Sequence, residues 1–299
     1  MTVPDRSSSL LSPRDLARAL GVSESSVKRW VDDGALAATR TSGGHRRIQL
    51  GEAIRFVRRS GAPVVAPELL GAVRLPALRT APVAANDEAV VEALWAALVA
   101  DDQAAARGVV MGLFLGGWPI AAICDGPLRA VLTRVGELWR HDAEGILVEH
   151  RATDTCVRAL SELRALLRPP ASEPPRALGG ALSGDPYLLP SMMAALVVAD
   201  LGFEERNLGP DTPLDVLLQA VARYAPRLVW LSVSVERGAP TLARDLEQLA
   251  RAVAPWGGTI AIGGRATPAL PAIPGVAHVA TMSELAELAR GLAPPASAT

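Results

Sequence analysis

The sequence predicts a multidomain chain of α and α/β class: an N-terminal winged helix-turn-helix, a four-helix bundle, and a doubly wound parallel sheet. Three observations carry this prediction. Two short amphipathic patterns joined at a glycine run into a basic hairpin within residues 12–48. Four helical patterns with short breaks follow in residues 86–168, as in an antiparallel bundle. From residue 177 short apolar runs alternate with amphipathic helices, the pattern of a parallel α/β sheet.

The first helix starts at Ser12-Pro13-Arg14-Asp15, with a hydroxyl cap, a proline in the first turn and a carboxylate three residues after the cap. Leu16, Ala19 and Leu20 give it one apolar face, and Gly21 ends it. Ser23 caps a second helix whose apolar positions Val27, Trp30 and Val31 lie three or four apart. On that helix Ser25, Ser26, Lys28 and Arg29 fall within one and a half turns and project from one polar face. Arg40 then precedes the Gly43-Gly44 turn, and His45, Arg46 and Arg47 follow it, so a two-stranded wing carries cations on both limbs. Phosphates are the natural partner of such a hairpin. Leu50 to Arg59 supplies a third helix anchored by Ile54, Phe56 and Val57.

Prolines at 63, 67, 76 and 82 mark residues 61–84 as a linker region without sustained periodicity. The boundaries drawn are a 1–70 DNA-binding domain, a 71–85 linker, an 86–168 bundle, a 169–176 proline-rich linker, a 177–292 sheet domain and a 293–299 tail. Bundle segments are expected at Asp87–Ala100, Asp102–Leu115, Ile120–His141 with a break near Gly126-Pro127, and Glu144–Leu167. In the sheet domain, strands are expected at 177–183, 203–207, 228–235, 259–263 and 276–280. Helices are expected at 191–201, 214–224, 240–254 and 283–292. A ligand site in such a sheet lies beyond the carboxyl ends of the strands.

Charge separates the head from the body. Residues 1–60 hold eleven Arg or Lys against six Asp or Glu, a balance of +5, so the remaining 239 residues carry −6 of the total −1. A basic head on an acidic body suits a chain whose first sixty residues face nucleic acid. Hydrophobic residues make up 49% of the chain, ample for buried cores. The start MTVPDRSSS lacks the regions of a signal peptide, and no run of about 18 uncharged apolar residues occurs. A cytoplasmic protein without membrane contact is expected. Cys124 and Cys156 have neither metal-ligand spacing nor disulfide density, so buried reduced thiols are expected.

The first seventy residues resemble the DNA-binding domain of MerR-type regulators, on Trp30, Gly34, Leu36 and the stretch Arg40-Thr41-Ser42-Gly43-Gly44-His45-Arg46-Arg47. The resemblance implies that Ser25, Ser26, Lys28 and Arg29 approach base edges while Arg40, His45, Arg46 and Arg47 hold phosphates. It also implies a dimer or higher oligomer on double-stranded operator DNA.

The remainder resembles the cobalamin-binding half of light-responsive MerR-type repressors of carotenoid genes, and the corresponding module of methionine synthase. Trp139, Glu149 and His150 match the Trp, Glu and His that cap the upper face of the corrinoid there. An indole offers a flat apolar lid, and a Glu-His pair a titratable donor beside a metal or propionate. On their own residues the signal is weaker, since a helical tryptophan is ordinarily core. In the sheet domain, flavodoxin-like by this resemblance, the family's acid-x-His-x-x-Gly loop reads Asp185-Pro186-Tyr187-Leu188-Leu189-Pro190. Its Ser-x-Leu reads Ser232-Val233-Ser234, and its Gly-Gly is Gly263-Gly264. Forty-one residues separate Pro190 from Ser232 and twenty-eight separate Ser234 from Gly263, spacings that fit the family.

Two substitutions depart from it. Tyr187 replaces the histidine that ligates cobalt from below, and a phenol titrating near ~10 is a poor cobalt ligand. Pro190 replaces a glycine, removing a backbone donor and fixing a torsion. Three readings stay open: cobalamin ligated from above by His150 or His141, or not ligated by protein; another tetrapyrrole, a bilin or heme, held by His150, Tyr187 and a cysteine; or no ligand, the body serving for dimerisation and partner docking. The expected function is a transcription regulator whose tetrapyrrole-sensing, light-dependent module controls oligomerisation and so operator affinity. RNA polymerase or another regulator is a further expected partner. The alternative is a ligand-independent regulator with a degenerate sensor. An enzyme is not expected, because a methyltransferase or mutase component needs the lost lower ligand.

Overall fold

A computed structural model describes residues 10–73, 88–138, 143–167 and 169–292, which form two compact units, Met1–Leu167 and Arg168–Thr299. The first unit begins with β1 (Leu10–Leu11), α1 (Pro13–Leu20) and α2 (Glu24–Asp32). The capping box is formed: Asp15 N donates to Ser12 Oγ, and Ser12 N donates to Asp15 Oδ2, each at 3.2 Å. Such a cap contributes about 1 kcal/mol. Gly21 closes α1 at φ +66°, a left-handed value that favours glycine. Ser23 Oγ then accepts from Ser26 N at 3.1 Å and starts α2.

β2 (Thr39–Arg40) and β3 (Arg46–Gln49) form the wing, with Thr39 opposite Arg47 and Arg40 opposite Arg46. The turn between them is tied by Gly44 N to Thr41 O at 2.8 Å, with Gly44 at φ +76°. The wing is not two-stranded as expected. β1 adds to the other side of β3, Leu11 facing Ile48, giving an antiparallel sheet of order β1-β3-β2. α3 (Leu50–Ser60) then packs Ile54, Phe56 and Val57 into a core with Leu16, Leu20 and Val27, all buried.

The expected linker is not free over its first half. A short 3-10 turn at Pro67–Leu70 buries Leu70, and Val65 N and Ala66 N donate to Ala19 O. Val73 N donates to Gly108 O at 2.9 Å, tying the chain to the bundle. Burial of Leu70 and Ala72 is the physical reason: apolar residues without periodicity still pack where a surface is offered. The rest of the expected linker, residues 74–85, and the tail 293–299 lie outside the described residues.

The bundle comprises α4 (Glu88–Val99), α5 (Gln103–Leu115), α6 (Ile120–Ile123), α7 (Arg129–Leu138) and α8 (Ala143–Leu166). α5 is buried from Gly108 to Leu115, as its nearly uninterrupted apolar sequence requires. Between α6 and α7 the predicted break is a π-helical turn, Cys124–Leu128, around Pro127, whose missing N–H shifts the hydrogen-bond ladder. Cys124 and Cys156 are buried thiols that form no disulfide. Head and bundle fall within one compact unit.

The second unit is a five-stranded parallel sheet of β4 (Arg176–Ala181), β5 (Glu204–Asn207), β6 (Leu228–Ser232), β7 (Thr259–Gly263) and β8 (Val276–His278). Its order, β5-β4-β6-β7-β8, is flavodoxin-like. α10 (Leu214–Tyr224) and α11 (Ala239–Val253) contribute Leu217, Leu242 and Leu246 to a core with Val229, Leu231 and Ile260. α9 (Leu188–Asp200) packs on β4, β5 and β6 and against α12 (Met282–Leu292). Residues 264–275 join β7 to β8 without a helix, because prolines at 268, 271 and 274 break any helical run. Among the described residues no helix is long and apolar enough to cross a membrane.

Candidate functional site

The first candidate surface is built by α2 and the wing. Ser25 is exposed and Ser26 half-buried at the start of α2, where the Ser23 hydroxyl lies 2.8 Å from Ser25 Oγ and 2.9 Å from Ser26 Oγ. Hydroxyls and backbone N–H groups at a helix start suit phosphate oxygens. Lys28 and Arg29 are exposed one turn on, and Lys28 Nζ pairs with Glu24 at 2.8 Å. Pairs of this kind are weak enough for a phosphate to displace. On the wing, Arg40 and His45 are exposed and Arg47 is half-buried, its Nη1 donating to Arg46 O.

Arg46 is placed differently from the other wing cations. Its Nη2 donates to Asp32 Oδ1 at 2.6 Å, and its side chain is only 21% exposed. Trp30 lies against Phe56, ring centres 4.8 Å apart, and so ties α2 to α3. Arg59 Nη2 donates to Ala35 O at 2.5 Å and fixes the turn after α2.

α3 turns its other cations to the bundle. Arg58 Nη1 donates to Phe114 O at 3.0 Å and Trp118 O at 3.3 Å, and Arg55 Nη1 donates to Ala165 O at 3.2 Å. The Phe114 and Ala165 carbonyls lie at the C-terminal ends of α5 and α8, where a helix dipole favours positive charge. Sequence reasoning missed this junction, since its partners lie 56 and 110 residues away.

The second candidate surface is on α8. His150 is 72% exposed, its Nδ1 2.8 Å from Glu149 Oε2, and Thr153 Oγ1 donates to Glu149 Oε1 at 3.1 Å. A carboxylate on Nδ1 fixes the ring and leaves Nε2 outward, the arrangement of a metal-ligating histidine. Ile146 and Leu147 are exposed beside it. Trp139 and His141, expected at this site, lie outside the described residues.

The third lies at the carboxyl ends of β4 and β6, the switch point of the sheet, where a cavity of about 110 Å³ is lined by Leu182, Asp185, Ser232, Val233 and Arg237. Asp185 is buried, and both carboxylate oxygens are engaged: Oδ1 accepts from Tyr187 N at 3.1 Å and Oδ2 from Ser234 N at 2.6 Å. Tyr187 is 40% exposed under the Arg265 guanidinium, 4.8 Å from its ring centre. Pro190 lies in the first turn of α9, where its missing N–H costs nothing. Ser232 and Ser234 are buried, and neither hydroxyl has a partner among the described residues.

Gly263 and Gly264 have a local reason for being glycine. A Cβ on Gly263 would overlap the Val279 carbonyl, and one on Gly264, at φ +130°, the Val233 carbonyl. The residues fit a tetrapyrrole unevenly. Glu149 and His150 would offer an oriented imidazole donor, whereas the Tyr187 loop has its acid committed and no imidazole.

Residues 10–59 match the helix-turn-helix domain family, and residues 90–164 match the B12 binding domain family. Among solved structures the chain is similar to the monomethylamine corrinoid protein of Methanosarcina barkeri, at 17% identity and a TM-score of 0.50 over 69% of this chain and 99% of that one. A novel cobalamin-binding protein from Desulfitobacterium hafniense DCB-2 aligns at 16% identity and a TM-score of 0.32, over 68% and 98%. The methanol:cobalamin methyltransferase complex of Methanosarcina barkeri aligns at 14% and 0.34, over 69% and 80%. No curated protein sequence matches the chain.

Proposed function

We propose that this chain, in which a helix-turn-helix domain precedes a B12 binding domain, is a DNA-binding transcription regulator whose bundle receives a corrinoid or another flat tetrapyrrole. One helix carries the argument. α8 presents Glu149 and His150 beside the exposed Ile146 and Leu147, and sixteen residues later its Ala165 carbonyl is held by Arg55 of the head. At 1.5 Å per residue the two ends are about 24 Å apart on one rigid element.

A corrinoid or heme, if bound, would supply a metal ion that the His150 imidazole could hold. The chain's own part is to hold the ring: Glu149 fixes His150 through Nδ1, and Ile146 and Leu147 offer apolar surface. A shift of α8 reaches α3 because packed helices move as units. One winged helix makes few phosphate contacts, so useful affinity needs two or more heads at half-site spacing. Self-association is then the switch, and illumination enters only through the ligand. Tyr187 in place of a lower ligand supports a regulator over an enzyme component.

Two observations favour a second reading, a body acting by protein contacts alone: in the sheet unit both Asp185 carboxylate oxygens accept backbone hydrogen bonds, and one face of the Tyr187 ring is taken by Arg265. The test is a visible spectrum of the full chain purified with hydroxocobalamin, hemin or biliverdin, alongside retention on double-stranded DNA at low ionic strength. The proposal expects at least one of the three pigments to be bound, with its absorption spectrum or its retention altered in His150→Ala. No pigment from any of the three supports the second reading, and no retention on duplex removes the regulator.

A further inference from the structure

The geometry points to Arg46 as a strut that sets the angle of the wing against α2, not as a grip on DNA, with Asp32 as its anchor. Resting on the DNA-binding reading, this assigns a positioning pair within that surface. Three observations converge. Side chains alternate along a strand, so Arg46 shares the face of β3 that carries Ile48, which is fully buried, while Arg47 takes the opposite face. The Arg46 side chain is only 21% exposed, and its Nε is buried without a partner among the described residues. Its Nη2 reaches Asp32, the last residue of α2, at 2.6 Å.

The pair solves a local problem of charge. Arg40 and Arg46 stand directly opposite each other across β2 and β3, and like charges so placed repel. Asp32 offsets that repulsion, and a cation near the end of α2 meets the negative end of its dipole. The consequence is a division of labour: Arg40, His45 and Arg47 remain for phosphates, and Arg46 fixes where they point. A displaced wing loses several contacts together, so the strut matters for affinity without touching DNA.

The experiment uses the full chain, duplex DNA over a salt series, and the variants Arg46→Met, Asp32→Asn, Arg47→Met and the Asp32→Asn/Arg46→Met pair. Methionine keeps an aliphatic stem at position 46, and the melting curve of each variant reports whether the head is folded. Each phosphate contact adds about 0.9 to the slope of log affinity against log salt. Arg46→Met and Asp32→Asn are each expected to weaken binding about fivefold at an unchanged slope. The double variant is expected to match either single one, whereas Arg47→Met lowers the slope by about one. A slope that falls by about one in Arg46→Met overturns the inference, as does unchanged affinity. Amide exchange in the unbound protein separates this from the wider reading. Exchange at Thr41 and Gly44 should quicken in Arg46→Met and Asp32→Asn but not in Arg47→Met; unchanged exchange overturns the strut even if the chain binds no duplex, an outcome that would sink the DNA reading on its own.

Discussion

The guanidinium of Arg58 lies 4.4 Å from the centre of the Phe114 ring while its Nη1 donates to the carbonyl of the same residue at 3.0 Å. One side chain of the DNA-binding domain thus stacks on a core aromatic of the bundle and caps the end of its central helix. Gly108 makes the companion contact possible: a Cβ there would come within 2.6 Å of the Val73 side chain, whose backbone N–H donates to the Gly108 carbonyl.

Arg58→Ala removes a charged donor and a cation–π contact, a loss of about 2 kcal/mol at the junction. The parent chain is expected to melt its head and bundle together. In the variant the head should melt first, as a separate calorimetric transition. A single transition at an unchanged temperature would mean the junction contributes little and the head is held by its own core.

Cys156 is the clearest case of burial setting reactivity. Desolvation pushes its thiol up to about 12, far above an ordinary cysteine, because the thiolate would have no water around it. The folded chain is therefore expected to leave Cys156 unlabelled by iodoacetamide at pH 8, with labelling only on unfolding. Prompt modification at that pH would show an open path to the bundle interior, and would restore a cysteine as a point of ligand attachment.

Local chemistry was legible in the sequence and distant chemistry was not. Ser12, Pro13 and Asp15 announce a helix start because the groups that satisfy one another lie within three residues. Pro127 announces its own break, and the alternation after residue 177 places the strands. β1 escaped notice, since two leucines become a strand only through pairing with Ile48 and Gln49 far along the chain. Nothing near Arg55 and Arg58 in the sequence announces their partners, the carbonyls at the ends of α5 and α8. Arg46 and Arg47 are adjacent and chemically alike, and only the pairing of β3 sends one toward Asp32. At the candidate ligand surfaces, Tyr187 and Pro190 were visible as departures, whereas the engagement of Asp185 by Ser234 across the sheet was not.

In the sheet core, Trp230 is buried opposite Gly179, and its Nε1 donates to Ser191 Oγ at 3.1 Å, which in turn bonds Asn207 Oδ1 at 2.7 Å. Ser191→Ala strands a buried N–H and is expected to cost about 1–3 kcal/mol. Adding Trp230→Phe to that variant should cost less than Trp230→Phe costs alone, because the second change removes the stranded donor. Simple additivity in denaturant melts would mean water replaces the lost hydroxyl.

Asp15 gives the head a predictable response to acid. The Ser12 hydroxyl holds its carboxyl below the ordinary 3.8 against the opposing cost of burial, with the Ser12 backbone N–H, Arg18 and Arg14 adding to the lowering. A carboxyl that binds its proton less tightly when folded stabilises the fold above its unfolded pKa of roughly 4 and loses that contribution as pH falls through the lower, folded value. Ser12→Ala removes the leading cause, so Asp15 should titrate closer to the ordinary carboxylate value, and the variant should lose more stability at pH 6, where the carboxylate is charged, than at pH 2, where the loss is mainly that of the cap on the Asp15 N–H. Side-chain NMR titration of Asp15, paired with melting curves at the two pH values, measures both halves. Equal loss at both pH values would show that the Ser12 cap works through the backbone N–H of Asp15 alone, without its carboxylate.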